Sequence, residues 1–171
     1  MHPPILNLND IELSPLPERY LPSDESAAQY QQSMAHVSKQ LGSQKLGYRM
    51  IGLKPGMRAS PFHSHRVNEE LFFIVAGEGQ IRLGDETFPV RAGDLIACPP
   101  GGPETAHQIF NNSDDELRYL ALSTMESPEI CEYPDSGKFM VMHNGSSVRG
   151  SAERFHTVAR KADAVDYWDG E

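Results

Sequence analysis

The sequence lacks most of the features that mark secreted, membrane-spanning and nucleic-acid-binding proteins. No apolar run approaches the roughly 20 residues of a membrane-spanning helix. The first residues, Met-His-Pro-Pro-Ile-Leu-Asn, have neither the basic start nor the apolar middle of a signal peptide. Only two cysteines are present, and in a chain without a secretion signal we expect Cys98 and Cys131 to be free thiols, although their count would allow one disulfide bond. These absences predict a cytoplasmic protein with no membrane partner.

Positive charge is scarce as well. The chain has 15 Lys and Arg residues against 24 Asp and Glu residues, which gives a formal charge of −9. Nucleic acids and anionic membranes are bound by clustered Lys and Arg side chains, so nucleic acid is not an expected partner. A length of 171 residues suits one domain with a real core and is short for two. We therefore look for a small-molecule substrate or ligand.

Short apolar runs, broken at close spacing by glycine and proline, follow one another from position 45 onward. We interpret seven of them as strands: 48–53, 71–76, 80–83, 87–91, 95–98, 108–111 and 117–123. Regular short strands separated by turn residues are typical of a β-sandwich or β-barrel. The sequence predicts an all-β fold.

The regions on either side of these strands differ in composition. Residues 1–42 begin with a proline-rich arm and continue, from Ser23 to Gly42, with an N-cap residue, early acidic residues and a terminal glycine that favour a short helix. Residues 126–171 hold one more candidate strand, 138–142, and a tail. No linker interrupts the chain, so we predict one domain with an arm (1–42), a barrel core (43–125) and a C-terminal extension (126–171).

Four side chains form a candidate metal site. His63 and His65 are two residues apart, so on an extended strand they point to the same face. Glu70 opens the apolar run 71–76, and His107 stands at the start of a later strand. Imidazole and carboxylate together suit a divalent first-row metal. A His-x-His pair alone is weak evidence, because surface loops also contain such pairs.

The spacing around these residues resembles the two sequence motifs of the cupin superfamily. The first motif reads Gly56-x6-His63-x-His65-x4-Glu70-x6-Gly77, and the second reads Gly93-x5-Pro99-x-Gly101-x5-His107-x3-Asn111. Two departures are visible: the spacer before His63 is one residue longer than usual, and Gly102-Pro103-Glu104 lengthens the gap before His107. The segment 133–138 and the closing residues 165–171 also resemble small bacterial single-domain cupins, which are loosely described as sugar-phosphate isomerases.

This resemblance implies a double-stranded β-helix, the jelly-roll barrel of cupins, across most of residues 40–145. It also implies that His63, His65, Glu70 and His107 bind one divalent transition metal such as Zn, Fe, Mn or Ni. Glu69 is the alternative carboxylate, because a shift of one residue in the strand would exchange it with Glu70.

An open metal position allows more than one activity. Redox-active iron would support a dioxygenase, whereas Zn or Mn would support an isomerase or epimerase by polarising a hydroxy-carbonyl substrate. A phosphorylated substrate would need basic residues at the cavity, and the candidates are few: Arg49, Arg58, Arg66 and Lys138. The alternative to an enzyme is a sensor or storage protein that binds a small polar ligand without turnover.

The strand that begins at Glu70 has apolar residues on both faces. If Glu70 faces the cavity, Phe72 and Ile74 face it too, and Leu71, Phe73 and Val75 point away. An outward apolar face of this size needs a cover, which the N-terminal arm, the tail or a second copy of the chain could supply. We predict a homodimer. The alternative is that the strand packs against the other sheet of a flattened barrel.

Overall fold

The alternation of apolar and polar residues builds antiparallel strands, and the glycines and prolines between them set the strand lengths. The structure, a computed structural model, describes residues 4–143 and 155–171. Its strands are β1 (Ser14–Pro15), β2 (Ser33–His36), β3 (Leu46–Leu53), β4 (Ser64–His65), β5 (Glu70–Ala76), β6 (Glu78–Leu83), β7 (Glu86–Arg91), β8 (Leu95–Cys98), β9 (His107–Phe110), β10 (Leu117–Thr124), β11 (Glu129–Tyr133), β12 (Lys138–His143) and β13 (Phe155–Arg160). The α-helix in these ranges is α1 (Val37–Leu41), and 3-10 helices span Leu8–Asp10, Glu18–Tyr20, Glu25–Gln29, Pro103–Thr105, Pro134–Ser136 and Lys161–Asp163.

The described strands pair in three antiparallel sheets. One has six strands in the order β1-β2-β3-β10-β5-β8, one has four in the order β13-β12-β11-β4, and one has three in the order β7-β6-β9. The prediction of an all-β fold is confirmed, and every predicted strand is present with its ends shifted by at most two residues. Three longer strands, β2, β11 and β13, were not predicted.

The main core lies between the sheets and is built from the inward faces of the strands. On β5, Phe72 and Ile74 point inward and are 6% and 0% exposed, whereas Leu71 points outward and is 37% exposed. This is the two-residue alternation predicted for that strand. The rest of the cluster comes from neighbouring strands and includes Ile51, Leu53, Ile81, Val90, Ile96, Ile109, Leu117 and Tyr119.

The N-terminal arm packs against the outer face of the six-stranded sheet. A second apolar cluster joins Ile11 of the arm to Val37 and to Met50 of β3, and Leu13 and Val75 pack at its edge. Burial of these side chains stabilises the arm by the hydrophobic effect. The arm therefore covers part of the outer face.

The predicted helix over residues 23–42 is wrong for most of that span. Its two ends behave as the sequence indicates: the Asp24 side chain caps the 3-10 helix that follows it, and Gly42 ends α1 in the left-handed conformation. Between them β2 pairs with β3, so that Ser33 lies opposite Gly52. Sheet pairing overrides the weak helical preference of a segment that has no helical apolar period.

Among the described residues, no helix is long and apolar enough to cross a membrane. Both cysteines are free, as predicted, and both are buried.

Candidate metal centre

The four predicted ligands come from separate elements that meet at one end of the barrel. His65 lies on β4, Glu70 is the first residue of β5, and His107 is the first residue of β9. His63 stands just before β4 and is joined to His107 by a β-bridge, in which the two backbone N–H groups donate to the opposite carbonyl oxygens at 3.2 and 2.8 Å. The backbone itself therefore holds His63 and His107 side by side.

The side chains converge. One ligand atom from each of the four residues lies within 4.8 Å of the other three. The His63 ring centroid is 5.1 Å from that of His65 and 4.7 Å from that of His107. Ligands of a single ion must approach one another in this way.

Two of the histidines present Nδ1 to backbone carbonyls. The Nδ1 atom of His63 lies 2.8 Å from the carbonyl oxygen of Pro61, and that of His107 lies 3.3 Å from the carbonyl oxygen of Thr105. A carbonyl oxygen only accepts, so neutral His63 carries its proton on Nδ1, and His107 can do the same when a cation lies at its Nε2. In the neutral imidazole each Nε2 then keeps a lone pair, which a metal ligand requires.

Two contacts at the centre of the cluster fit a bound cation. The Nε2 of His107 lies 2.9 Å from Oε2 of Glu70, a distance that a shared proton or a cation between the two atoms would stabilise. The buried Nε2 of His65 lies 3.4 Å from the same oxygen and forms no hydrogen bond within the described residues. Three imidazoles and a carboxylate are the donor set that first-row divalent ions accept. The residues present therefore fit such an ion.

The protonation of the cluster is uneven. Burial lowers the pKa of His63 to about 4. Burial would also lower the pKa of His65, but its contacts with Cys131 and Glu70 outweigh this and raise that pKa to about 10. Burial would raise the pKa of Glu70, yet His107 and His65 hold it well below its ordinary value. At neutral pH the cluster thus contains a carboxylate and a protonated His65.

The surroundings are apolar on one side and open on the other. The ring of Phe72 meets that of His107 edge-on at 5.4 Å, and Tyr133 stacks on His63 at 6.2 Å. The side chains of His65 and Glu70 are 15% and 16% exposed, whereas that of His107 is 4% exposed. The side chains of His65 and Glu70 thus keep limited contact with solvent.

The alternative carboxylate, Glu69, lies outside the cluster. Its residue is exposed, and its backbone N–H donates to Oγ1 of Thr124 at 3.0 Å. The extra residues before His107 form the 3-10 helix Pro103–Thr105, so the longer spacer is taken up at the rim of the site. It leaves the position of His107 at the start of β9 unchanged.

Cys98 lies beside the cluster but belongs to the core. It is directly opposite Glu70 in the pairing of β5 with β8 and is 2% exposed. Burial raises the pKa of its thiol to about 12, so Cys98 stays protonated and is a poor nucleophile.

Two side chains at the site were not predicted. Glu129 and Cys131 lie on β11 next to His65, with Glu129 Oε2 3.5 Å and Cys131 Sγ 3.3 Å from its Nδ1. The signal that would have indicated them is the alternation Glu129-x-Cys131-x-Tyr133, which puts three polar groups on one face of a strand. Sequence analysis assigned no strand to this segment, which lies between Pro128 and Pro134.

Comparison with known proteins places the fold in a family. The sequence profile of the cupin domain matches residues 49–123, a span that includes all four candidate ligands. An uncharacterized protein of Methanocaldococcus jannaschii is 36% identical over 74 residues, which are 41% of this chain and 57% of the archaeal protein. This chain thus spans little more than half of that relative. An oxalate-binding protein of Thermotoga maritima is 30% identical over 91 residues, which are 52% of this chain and 72% of that protein.

A solved structure extends the similarity of fold to nearly the whole chain. It is a sugar phosphate isomerase of the cupin superfamily from Silicibacter pomeroyi, with a TM-score of 0.76 and 23% sequence identity. The superposition covers 97% of this chain and 98% of that protein. The predicted jelly-roll barrel is confirmed, and the chain belongs to the cupin family.

Proposed function

We propose that His63, His65, Glu70 and His107 bind one divalent transition metal ion and that the chain is a metal-dependent enzyme acting on a small polar molecule. The observation that carries this proposal is the convergence of four ligand atoms within 4.8 Å, among them the buried Nε2 of His65, which forms no hydrogen bond within the described residues. A buried polar atom without a partner costs free energy, and a bound cation would remove that cost.

The ion would be held by the four side chains and would supply a Lewis acid or, as iron, a site for oxygen chemistry. Zn, Fe, Mn and Ni all accept this donor set. His63 and His107 would bind the ion through Nε2, because their Nδ1–H groups donate to backbone carbonyls. The partial exposure of His65 and Glu70 supports the approach of a substrate oxygen from that side.

The charges near the site favour a small chelating acid, diol or hydroxy-carbonyl compound over a phosphate ester. Arg66 is paired with Glu132, and Arg82 is paired with Asp135. Arg58 donates to the side chain of Gln108. Lys138 forms no ion pair within the described residues, and its ammonium lies 5.7 Å from the ring centroid of Tyr133. A phosphate would find few free cations here.

The similar proteins differ in their described activities and do not choose among an isomerase, an epimerase and a dioxygenase. One similar protein is described as binding oxalate, a chelating dianion, and one similar structure as a sugar phosphate isomerase. Because a shared fold does not fix a reaction, the substrate class rests on the site.

The second candidate is a protein that binds its ligand without turnover. The observation in its favour is that the described residues place no obvious proton-transfer group beside the four ligands. Tyr133 is the nearest such group on His63, and burial raises its pKa to about 12, so it is a weak acid near neutral pH.

A single preparation tests both candidates. Protein loaded with Mn²⁺ is titrated with oxalate, glycolate or catechol while the relaxation rate of water protons is followed. Displacement of metal-bound water by a chelating probe supports the open site, and no change with any probe contradicts it. Incubation of the same samples with and without O2, followed by product detection by NMR, then separates an enzyme from a binding protein.

We also propose that the chain forms a homodimer through the outer face of the six-stranded sheet. The arm covers Met50 and packs against Val75, but Leu71 and Leu95 remain 37% and 68% exposed. Apolar side chains grouped on one sheet face commonly mark an interface. Their exposure shows that the described part of the tail does not cover them, and Trp168 on that tail is 72% exposed.

A further inference from the structure

The nitrogen of His65 that faces away from the other ligands has unusual neighbours. The Nδ1 atoms of His63 and His107 bond to backbone carbonyls, but Nδ1 of His65 lies 3.3 Å from Sγ of Cys131 and 3.5 Å from Oε2 of Glu129. Cys131 and Glu129 are 1% and 2% exposed. A thiol and a carboxylate are thus buried together behind one imidazole.

The strand register explains why these side chains meet. β11 pairs with β4 so that Cys131 is directly opposite His65. Directly opposite residues in an antiparallel pair project to the same face, and Glu129 projects to that face too because it is two residues from Cys131. The contact is therefore fixed by the sheet.

The carboxylate of Glu129 accepts hydrogen bonds from the turn that connects His65 to Glu70. Its Oε1 accepts the backbone N–H groups of Arg66 and Val67, both at 3.2 Å, and of Ile130 at 2.7 Å. Its Oε2 accepts the backbone N–H of Asn68 at 2.8 Å and the side-chain amide of Asn68. Three consecutive amides, at positions 66–68, thus point at one buried carboxylate.

This arrangement argues against a second metal ion bound by His65, Glu129 and Cys131, although their ligand atoms also lie within 4.8 Å. A carboxylate has about four lone-pair sites, and five N–H groups already fill those of Glu129. Its charge is balanced by the amides of the turn. What it fixes is the path of the chain between His65 and Glu70.

We propose that Cys131 and Glu129 are positioning residues for the metal ligand His65. This inference rests on the metal site proposed above. The sulfur of Cys131 accepts the Nδ1–H of His65, so that the lone pair on Nε2 points toward Glu70 and His107. Glu129 holds the turn 66–68, which sets the distance between His65 and Glu70. A hydrogen bond to the distal nitrogen selects the tautomer that binds a metal and increases the basicity of the ligand.

The test is a titration of the metal-free protein with Co²⁺ alone, followed by its visible and near-ultraviolet absorption. We expect Cys131→Ala to weaken Co²⁺ binding by about 10- to 100-fold. Cys131→Ser is expected to recover most of this loss, because a hydroxyl oxygen also accepts the Nδ1–H. The matched control is Cys98→Ala, which removes the other buried thiol and is expected to leave the affinity unchanged.

The spectrum separates a positioning role from direct ligation. A sulfur that is not a ligand gives no thiolate-to-cobalt charge-transfer band, so we expect none in the wild-type protein. Such a band, lost in Cys131→Ala, would overturn the proposal by making Cys131 a ligand. Unchanged affinity in Cys131→Ala, or a serine variant as weak as the alanine variant, would overturn it as well.

A second test uses only the wild-type protein, so it does not depend on whether a variant folds. In the Zn²⁺-loaded protein, the ring ¹⁵N shifts of His65 are expected to show a proton on Nδ1 and none on Nε2. The opposite tautomer would refute the role given to Cys131. If the wild-type protein binds neither Co²⁺ nor Zn²⁺, the proposed metal centre fails and this inference fails with it. If the wild-type protein binds the metal and the Cys131 variants bind it equally well, this inference fails and the proposed metal centre stands.

Discussion

His63 and His107 share a local device that orients their rings. Each Nδ1–H donates to the carbonyl oxygen two residues earlier, on Pro61 and Thr105 respectively. The sequence motif predicted which residues meet, but not these hydrogen bonds, because they depend on backbone angles before each strand. His65 differs, since its distal nitrogen faces β11, a strand that the sequence did not reveal. That the four residues bind a metal stays a prediction.

At the residue scale, the unequal pKa values predict that metal binding releases a proton. The pKa of His65 is raised from 6.5 to about 10, so at pH 7 the metal-free protein carries this proton and the ion must displace it. His63, with a pKa of about 4, and Glu70, with a lowered pKa, are already deprotonated and release none. Metal affinity should therefore increase about tenfold per pH unit while His65 stays protonated.

Calorimetric titration with Mn²⁺ in two buffers of different ionisation enthalpy measures this release directly. The expected value is about one proton per ion at neutral pH. Affinity that is independent of pH between about 7 and 8.5, with no proton released, would contradict the protonated state of His65.

At the scale of elements, the strands formed by short apolar runs between glycine and proline residues were predicted, and three longer strands were not. β5 and β10 each contain such a run and were predicted from it. β2 lies in a segment with a helix-like N-cap and C-terminal glycine, and its identity as a strand depends on pairing with β3. β13 begins beyond the undescribed residues 144–154, and its pairing with β12 is equally non-local. Local sequence carries no record of such partners.

The turn between β5 and β6 gives a prediction for this scale. Gly77 has φ +79°, and a Cβ there would lie 2.3 Å from the carbonyl oxygen of Glu116. Gly56 has nearly the same φ, +77°, but nothing lies within 4 Å of its Cβ position. Gly56→Ala should thus lower the free energy of unfolding by about 1–2 kcal/mol, because alanine is strained in the left-handed conformation. Gly77→Ala adds a forced backbone contact and should cost about 2–5 kcal/mol in the free energy of unfolding.

Urea unfolding of both variants checks the comparison. Equal losses in the two proteins would show that the close approach of β5 and β10 at this turn is wrong.

At the scale of the whole molecule, the family and its barrel could be predicted from two short motifs, while the covering of the barrel could not. The spacing between the glycines and the candidate ligands is a local property of the sequence, so the resemblance to cupins could be recognised without a structure. The sequence indicated that the arm packs against another part of the protein, but only the structure shows that it packs against Met50 and Val75. The division into arm, barrel and extension stays a prediction.

The proposed dimer predicts a species of twice 19.0 kDa in light scattering. Leu95→Asp puts a charge on the outer sheet face, where Leu95 is 68% exposed, and should shift the protein toward the monomer. The control is Val165→Asp, at a residue that is 73% exposed on the tail, which should leave the dimer intact. A wild-type monomer at all concentrations would refute the proposal.

The central claim is that four side chains bind one metal ion, and metal content per chain tests it most directly. Wild-type protein purified without a chelating tag, and measured by plasma mass spectrometry, is expected to contain close to one equivalent of a transition metal. Glu70→Gln and His107→Ala should lose most of it, because each removes a ligand. Glu69→Gln, the exposed neighbour, should keep it. Wild-type protein that contains no metal and takes up none on titration, or equal metal content in Glu70→Gln and Glu69→Gln, would contradict the account.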